Sequence, residues 1–357
     1  DSGRAAIGLS EWAAEGDWRL AFLFRDRIKA VTADDVLRVA KEYLKAANRT
    51  VGEFIPTKVA ERAEVPATPD ISAMLKDYKG GEALSAGEAF DPSPAAIEAR
   101  TTRALIAPGI KVVLVPKKTR GGTVQVVMSF HFGDVKSLQG RGTAAEFAGQ
   151  MLMRGTAKHT RQQIQDDSDR LKAQIGVFGG ATGAQASIEV TRENLAPALA
   201  LAAEILKEPS FPPTEFDVLR QETLAGLEEQ KSDPQQKASV RLEKYLSPWP
   251  KSDPRYVESP DESIELTKAT ALDAVKKTYA DFYGASVAEI AIVGDFDKAE
   301  VLAQLTKLFS GWKSPKPYAR LVDVYNDLPA IRELIDAPDK ESAVCSAALR
   351  LPLKGDD

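Results

Sequence analysis

The 357-residue sequence predicts an α+β fold, a mixed or antiparallel sheet with helices packed on it. Three observations carry that expectation. Residues Thr123 to Phe132 alternate, with Val124, Val126, Met128 and Phe130 on one face and Gln125, Val127, Ser129 and His131 on the other, as a half-buried strand requires. Asn194 to Lys207 and Lys298 to Phe309 repeat apolar residues at three- and four-residue spacing, the period of a helix buried along one stripe. Val287 to Val293 is a short apolar strand closed by a Gly294-Asp295 turn.

Composition sets the bounds. There are 47 basic against 52 acidic residues, a net charge of −5, so nothing marks a nucleic-acid surface. No apolar run reaches the length of a membrane span. Cys345 is the sole cysteine, so an intrachain disulfide is impossible. Asp1 brings neither an initiating Met nor a signal-peptide pattern, and the chain is read as a piece of something longer.

In chain order, Trp12 to Trp18 reads as an approach to a helix over Trp18 to Ile28, with Leu20, Phe22, Leu23, Phe24 and Ile28 mostly inward. Thr32 caps a second helix, Asp34 and Asp35 favour its positive end, and Val36, Leu37, Val39, Ala40, Tyr43 and Leu44 form its buried face. Thr50 to Ile55 is a strand ended by Pro56. Proline and glycine then mark a connector from Lys58 to Ala99, with a helical turn or two between Ser72 and Tyr78. From Arg100, Thr102–Ile106 and Lys111–Val115 are strands about a Pro108-Gly109 turn, followed by a basic loop, Lys117 to Gly122.

Gly142 to Thr156 is a helix bounded by glycines, capped by Thr143 and ended at Gly155. A charged helix follows from Arg161 to Lys172, with His159 near its start. Ile175 to Val190 reads as two strands rich in small residues; it lacks the lysine of a phosphate-binding loop. A long helix runs from Pro213 or Thr214 to about Lys231, and another from Ala269 to Phe282. Pro315 and Pro317 mark a boundary, beyond which Ile331–Ile335 and Ser342–Leu351 look like strands. His131, His159 and Cys345 are far apart in sequence and fit no metal-ligand spacing.

The helix over Gly142–Thr156 resembles that of the pitrilysin/insulinase-like zinc peptidases, in which His-x-x-Glu-His is soon followed by Gly-Thr. Counting back from Gly155-Thr156, the first His position falls on Glu146, the Glu on Gly149 and the second His on Gln150. Catalytic zinc needs about three protein ligands and a general base; these residues supply neither two imidazoles nor the base. The family's third ligand, a Glu roughly 80 residues on, counts to Gly226. Glu228 and Glu229 lie close by, but two residues turn a side chain about 200° around a helix, so they read as solvated acids.

The resemblance extends along the chain through Val31-Thr32-x-x-Asp35-Val36, Asn48-Arg49-Thr50-Val51-Gly52, the Asn194-Leu195 helix, Asp233-Pro234, Leu266-Thr267 and Ile292-Val293-Gly294-Asp295. It implies residues 1–57 as the tail of one subdomain, 58–99 as a linker, 100–318 as a complete pitrilysin-like subdomain with a degenerate motif, and 319–357 as the start of the next. It implies further that this is the non-catalytic half of a fused zinc metallopeptidase, with no cofactor of its own and zinc in an upstream half. That half and peptide substrate are the expected partners. Such a half would wall a chamber and support peptide binding, and alone it would be inactive. The alternative is a structural or assembly protein of the same fold. Compartment is not readable from the residues; the resemblance alone suggests a bacterial periplasm.

Overall fold

The computed structural model describes residues 2–50, 52, 71–79, 86–322, 324–337 and 343–352. The chain divides into two compact units, Asp1–Leu84 and Ser85–Asp357. The first contains α1 (Ser2–Ala14), α2 (Leu20–Lys29), α3 (Ala33–Tyr43) and the short α4 (Ile71–Leu75). Thr32 caps α3: its hydroxyl accepts from Asp35 N, and Asp35 reaches back to Thr32 N. The expected buried faces are absent. On α2 only Leu20 is buried; Phe24 and Ile28 are half open. On α3, Val36, Leu37, Val39 and Tyr43 are exposed, as is Leu44 beyond it at 84%. An apolar stripe predicts burial only where another layer covers it, and among the described residues of this unit none covers α3. The strand expected over Thr50–Ile55 falls largely outside the described residues; Thr50 and Gly52 are in no regular element.

The second unit holds α5 (Pro94–Arg100), β1 (Thr102–Ala107), β2 (Ile110–Pro116), β3 (Thr123–His131), α6 (Gly142–Met151), α7 (Arg161–Arg170), β4 (Gln174–Gly179), β5 (Gly183–Thr191), α8 (Leu195–Lys207), α9 (Pro213–Ser232), α10 (Pro234–Leu246), α11 (Pro260–Ala269), α12 (Leu272–Phe282), β6 (Ala288–Gly294) and α13 (Lys298–Phe309). The sheet runs β1-β2-β6-β3-β5-β4. Only β2 and β6 are parallel, so the sheet is mixed, as expected.

Alternation sets the layers. Val124, Val126, Met128 and Phe130 of β3, Ala186, Ile188 and Val190 of β5, and Ile290 and Ile292 of β6 all face one core. α6, α8, α12 and α13 supply the other side of it through Phe147, Leu199, Phe282 and Phe309. The opposite face of the sheet carries Gln125, Val127, Gln185 and Glu189, all exposed. Gly109 is obligatory at the β1–β2 turn: its φ is +87°, and a Cβ there would lie 1.9 Å from the Ser286 carbonyl oxygen.

Three local expectations need correction. Thr143 does not cap α6; the helix opens one residue earlier, and Ala145 N already donates to Arg141 O. The expected helix over Ala269–Phe282 is α12, which starts at Leu272; α10 and α11, before it, were not expected. Asp233 accepts from Gln236 N with Pro234 at the first helical position, so the Asp-Pro pair starts a helix. Finally, 331–337 and 343–352 form no strand among the described residues. A strand persists only beside a ladder partner, and no described strand runs alongside.

Candidate functional site

α6 is held between β4 and α12. Ala145, Phe147, Ala148, Gly149 and Met151 turn inward, leaving Glu146 and Gln150, one helical turn apart, on the outer side. Gly149 faces β4 at backbone contact: a Cβ on it would lie 2.2 Å from both the carbonyl carbon and oxygen of Gly179. Gly179 is equally confined, since its own Cβ would lie 2.2 Å from the Tyr283 hydroxyl and 2.6 Å from Gly149 Cα. Helix, strand and tyrosine therefore meet with no side chain between them. Tyr283 is 4% exposed and its hydroxyl has no hydrogen-bond partner. Burial, with Tyr279 adding to it, pushes that hydroxyl far above the ordinary tyrosine range.

Glu146 has an open surface, yet the protein crowding it raises its carboxyl above the ordinary range, and Glu258 repels it further. Solvent on the open side screens that push. Gly226, on α9, has open space where a Cβ would stand. Glu228 pairs with Lys231 at 3.4 Å, and Glu229 is exposed. Among the described residues no group of three His, Cys, Asp or Glu side chains is placed to hold a metal ion. Glu146 and Gln150 thus share one face of α6, whereas Gly149 is spent on packing.

The Gly155-Thr156 pair has a structural role that the sequence did not reveal. Gly155 has φ +137° and pairs with Thr160 in an isolated bridge. Thr156 Oγ1 donates to Glu204 Oε1 at 2.5 Å and accepts from the backbone N–H groups of Lys158 and His159. His159 does not cap α7; Thr160 does, with Gln163 closing the box. The imidazole Nδ1 instead meets Glu204 Oε1 at 2.7 Å, and Nε2 lies 3.4 Å from Asp167. Burial of Glu204 would raise its carboxyl, but the bonds from Thr156 and His159 outweigh it and hold the group below the ordinary range. His131 stacks on Tyr318, ring centroids 5.3 Å apart.

At the sheet edge, β4 pairs, among the described residues, with β5 alone, and Phe178 stands 64% exposed. An edge strand of this kind offers unpaired backbone donors and acceptors to another extended chain.

Residues 269–356, from α12 onward, match the family model of the peptidase M16 inactive domain. No curated protein matches the chain. Among solved structures, a peptidase M16 inactive domain from Pseudomonas fluorescens is similar at 24% identity and TM-score 0.53, over 64% of this chain and 54% of that one. A protease from Helicobacter pylori is similar at 19% identity and TM-score 0.52, over 64% and 54%. The first half of the periplasmic protease PqqL from Escherichia coli is similar at 16% identity and TM-score 0.51, over 62% and 48%. The chain thus spans about half the length of these structures, and at such identities the likeness is one of fold. The chain thus matches the peptidase M16 inactive-domain model over residues 269–356 and shares the fold of these structures over nearly two thirds of its length.

Proposed function

We propose that this chain is the non-catalytic half of a pitrilysin-like zinc peptidase, walling a chamber and supporting extended peptide for a zinc-bearing half. The observation that carries the reading is the contact between Gly149 and Gly179. A general base at position 149 would have to extend through the Gly179 backbone, so the helix that bears the motif in a catalytic domain serves here as a packing element. Glu146 and Gln150 then occupy ligand positions without the base between them. The open edge of β4, beside α6, supports the peptide-holding part: main-chain pairing gives sequence-tolerant affinity for extended segments. In this reading 1–57 closes one subdomain, 58–99 connects, 100–318 is complete, and 319–357 opens another.

Metal analysis of the purified chain after dialysis tests the first part; about one tightly held zinc per chain would overturn it. Peptidase activity gives the second test. The chain alone should not cleave an unstructured peptide, and cleavage should appear when a zinc-bearing half is added. If the two halves associate and no peptide is cut or bound, the chain is an assembly protein of this fold instead.

A further inference from the structure

The described residues that follow Pro317 run across α10 and the loop beyond it, held by two side-chain bonds to their backbone, one ion pair and one arginine reaching back to the helix. Tyr245, on α10, donates its hydroxyl to Pro329 O at 2.6 Å. One turn earlier on the same helix, Arg241 grips the Glu333 carboxylate with both Nε and Nη2, at 2.9 and 2.8 Å. Arg255, past the helix end, donates to Val322 O at 2.7 Å. Arg350 donates to Leu246 O at the C-terminus of α10.

The neighbours of Arg241 and Tyr245 are braced by contacts that do not involve the segment. Arg255 is fixed by two bonds of 2.8 Å to the Asp253 carboxylate and lies 3.4 Å from the Trp249 ring centroid. Lys244 braces α10 through Glu262 and Tyr256. The segment, by contrast, commits little. Its described residues form no regular secondary structure, and Ile331, Ile335 and Leu334 are exposed, the last at 89%. What is read is two carbonyl oxygens and one carboxylate, four residues past the second carbonyl. Pro329 helps by keeping Leu328 extended.

We propose that the face of α10 bearing Arg241 and Tyr245 is a binding surface for an extended peptide with an acidic residue four positions after a proline, and that 324–337 occupies it as a displaceable strap. The surface is separate from the β4 edge and does not rest on the function proposed above. An incoming peptide of the same pattern must outcompete a tethered strap and so binds only above the strap's effective concentration, but Ile331, Leu334 and Ile335 are already exposed and need not be extracted.

The test uses the full chain and a fluorescent peptide copy of 324–337. The peptide should bind an E333A chain about threefold or more tighter than the unaltered chain, the effect of freeing one surface ion pair. Binding should be lost on Arg241→Glu. Chymotryptic cleavage after Tyr325, followed by mass spectrometry, reads the strap itself. It should speed up in R241E and return toward the original rate in R241E/E333R, with amide protection of the central strands unchanged in both. Equal peptide binding with and without Glu333, no binding to E333A, or a cleavage rate indifferent to R241E would each overturn the proposal.

Discussion

Replacing Gly149 by alanine places the first atom of a side chain 2.2 Å from two atoms of the Gly179 peptide group. Ordinary contact between such atoms needs about 3.5 Å, so α6 and β4 must separate by more than about 1 Å. Neither side yields easily. The obstacle is backbone rather than the end of a flexible chain, and Gly179 is backed by the Tyr283 hydroxyl, which has nowhere to retreat. Overpacking of this kind costs about 1–3 kcal/mol, and the backbone contact sets the cost near the upper end. Exchange of glycine for alanine within a helix returns about 1 kcal/mol. The net expectation is a loss of roughly 2 kcal/mol, or about 4–8 °C in the melting temperature of a unit this size. Gly149→Glu, which would supply the base of the proposed motif frame, should cost more and yield no activity.

The assay is thermal and urea denaturation of the complete chain, read with local amide exchange because two units need not unfold together. Protection should fall first in α6 and β4 and in Tyr283, where the strain is applied. An alanine variant as stable as the parent, with unchanged exchange in β4, would refute the packing argument and with it the physical reason offered for the missing base.

Tyr283→Phe removes a buried hydroxyl without a partner, and should leave stability unchanged or raise it by up to about 1 kcal/mol in denaturant titration. Glu262 is held far below the ordinary carboxylate range by bonds from Lys251, then Ser259 N and Lys244. A depressed carboxyl contributes stability that is complete above the unfolded value of about 4.3 and is lost as pH falls toward the folded one. Glu262→Gln should therefore be destabilising at pH 7, and the difference should shrink steadily below about pH 4. Hydrogen exchange should show 2–50 and 320–352 opening more readily than 100–312, since the exposed faces of α2 and α3 and the strap lack covering layers; uniform protection from end to end would contradict this.

Periodicity made most of the second unit readable. β3 alternates, β2 and β6 are short apolar runs, and α8 and α13 carry apolar stripes, so their residues announce which faces are covered. α10 escapes a reading that ends the long helix near Lys231, although Asp233-Pro234 supplies a side-chain cap and a proline at the first helical position, a favoured start. The face of α3 was misread for a different reason. Val36, Leu37, Val39 and Tyr43 announce a core, but a stripe states only that a cover is wanted. The motif helix shows where local reading ends. That positions 146, 149 and 150 carry Glu, Gly and Gln was visible at once. The cause at Gly149 was not, because it lies 30 residues away in Gly179 and more than 130 away in Tyr283, joined only by the packing of β4 against α6. The Thr156–Glu204–His159 cluster is hidden in the same manner: Glu204 reads as an ordinary polar position on a helix until the fold places its carboxylate on the Gly-Thr loop. In the proposed reading a motif frame outlasts its chemistry because Gly149, Gly155 and Thr156 carry structural duties of their own.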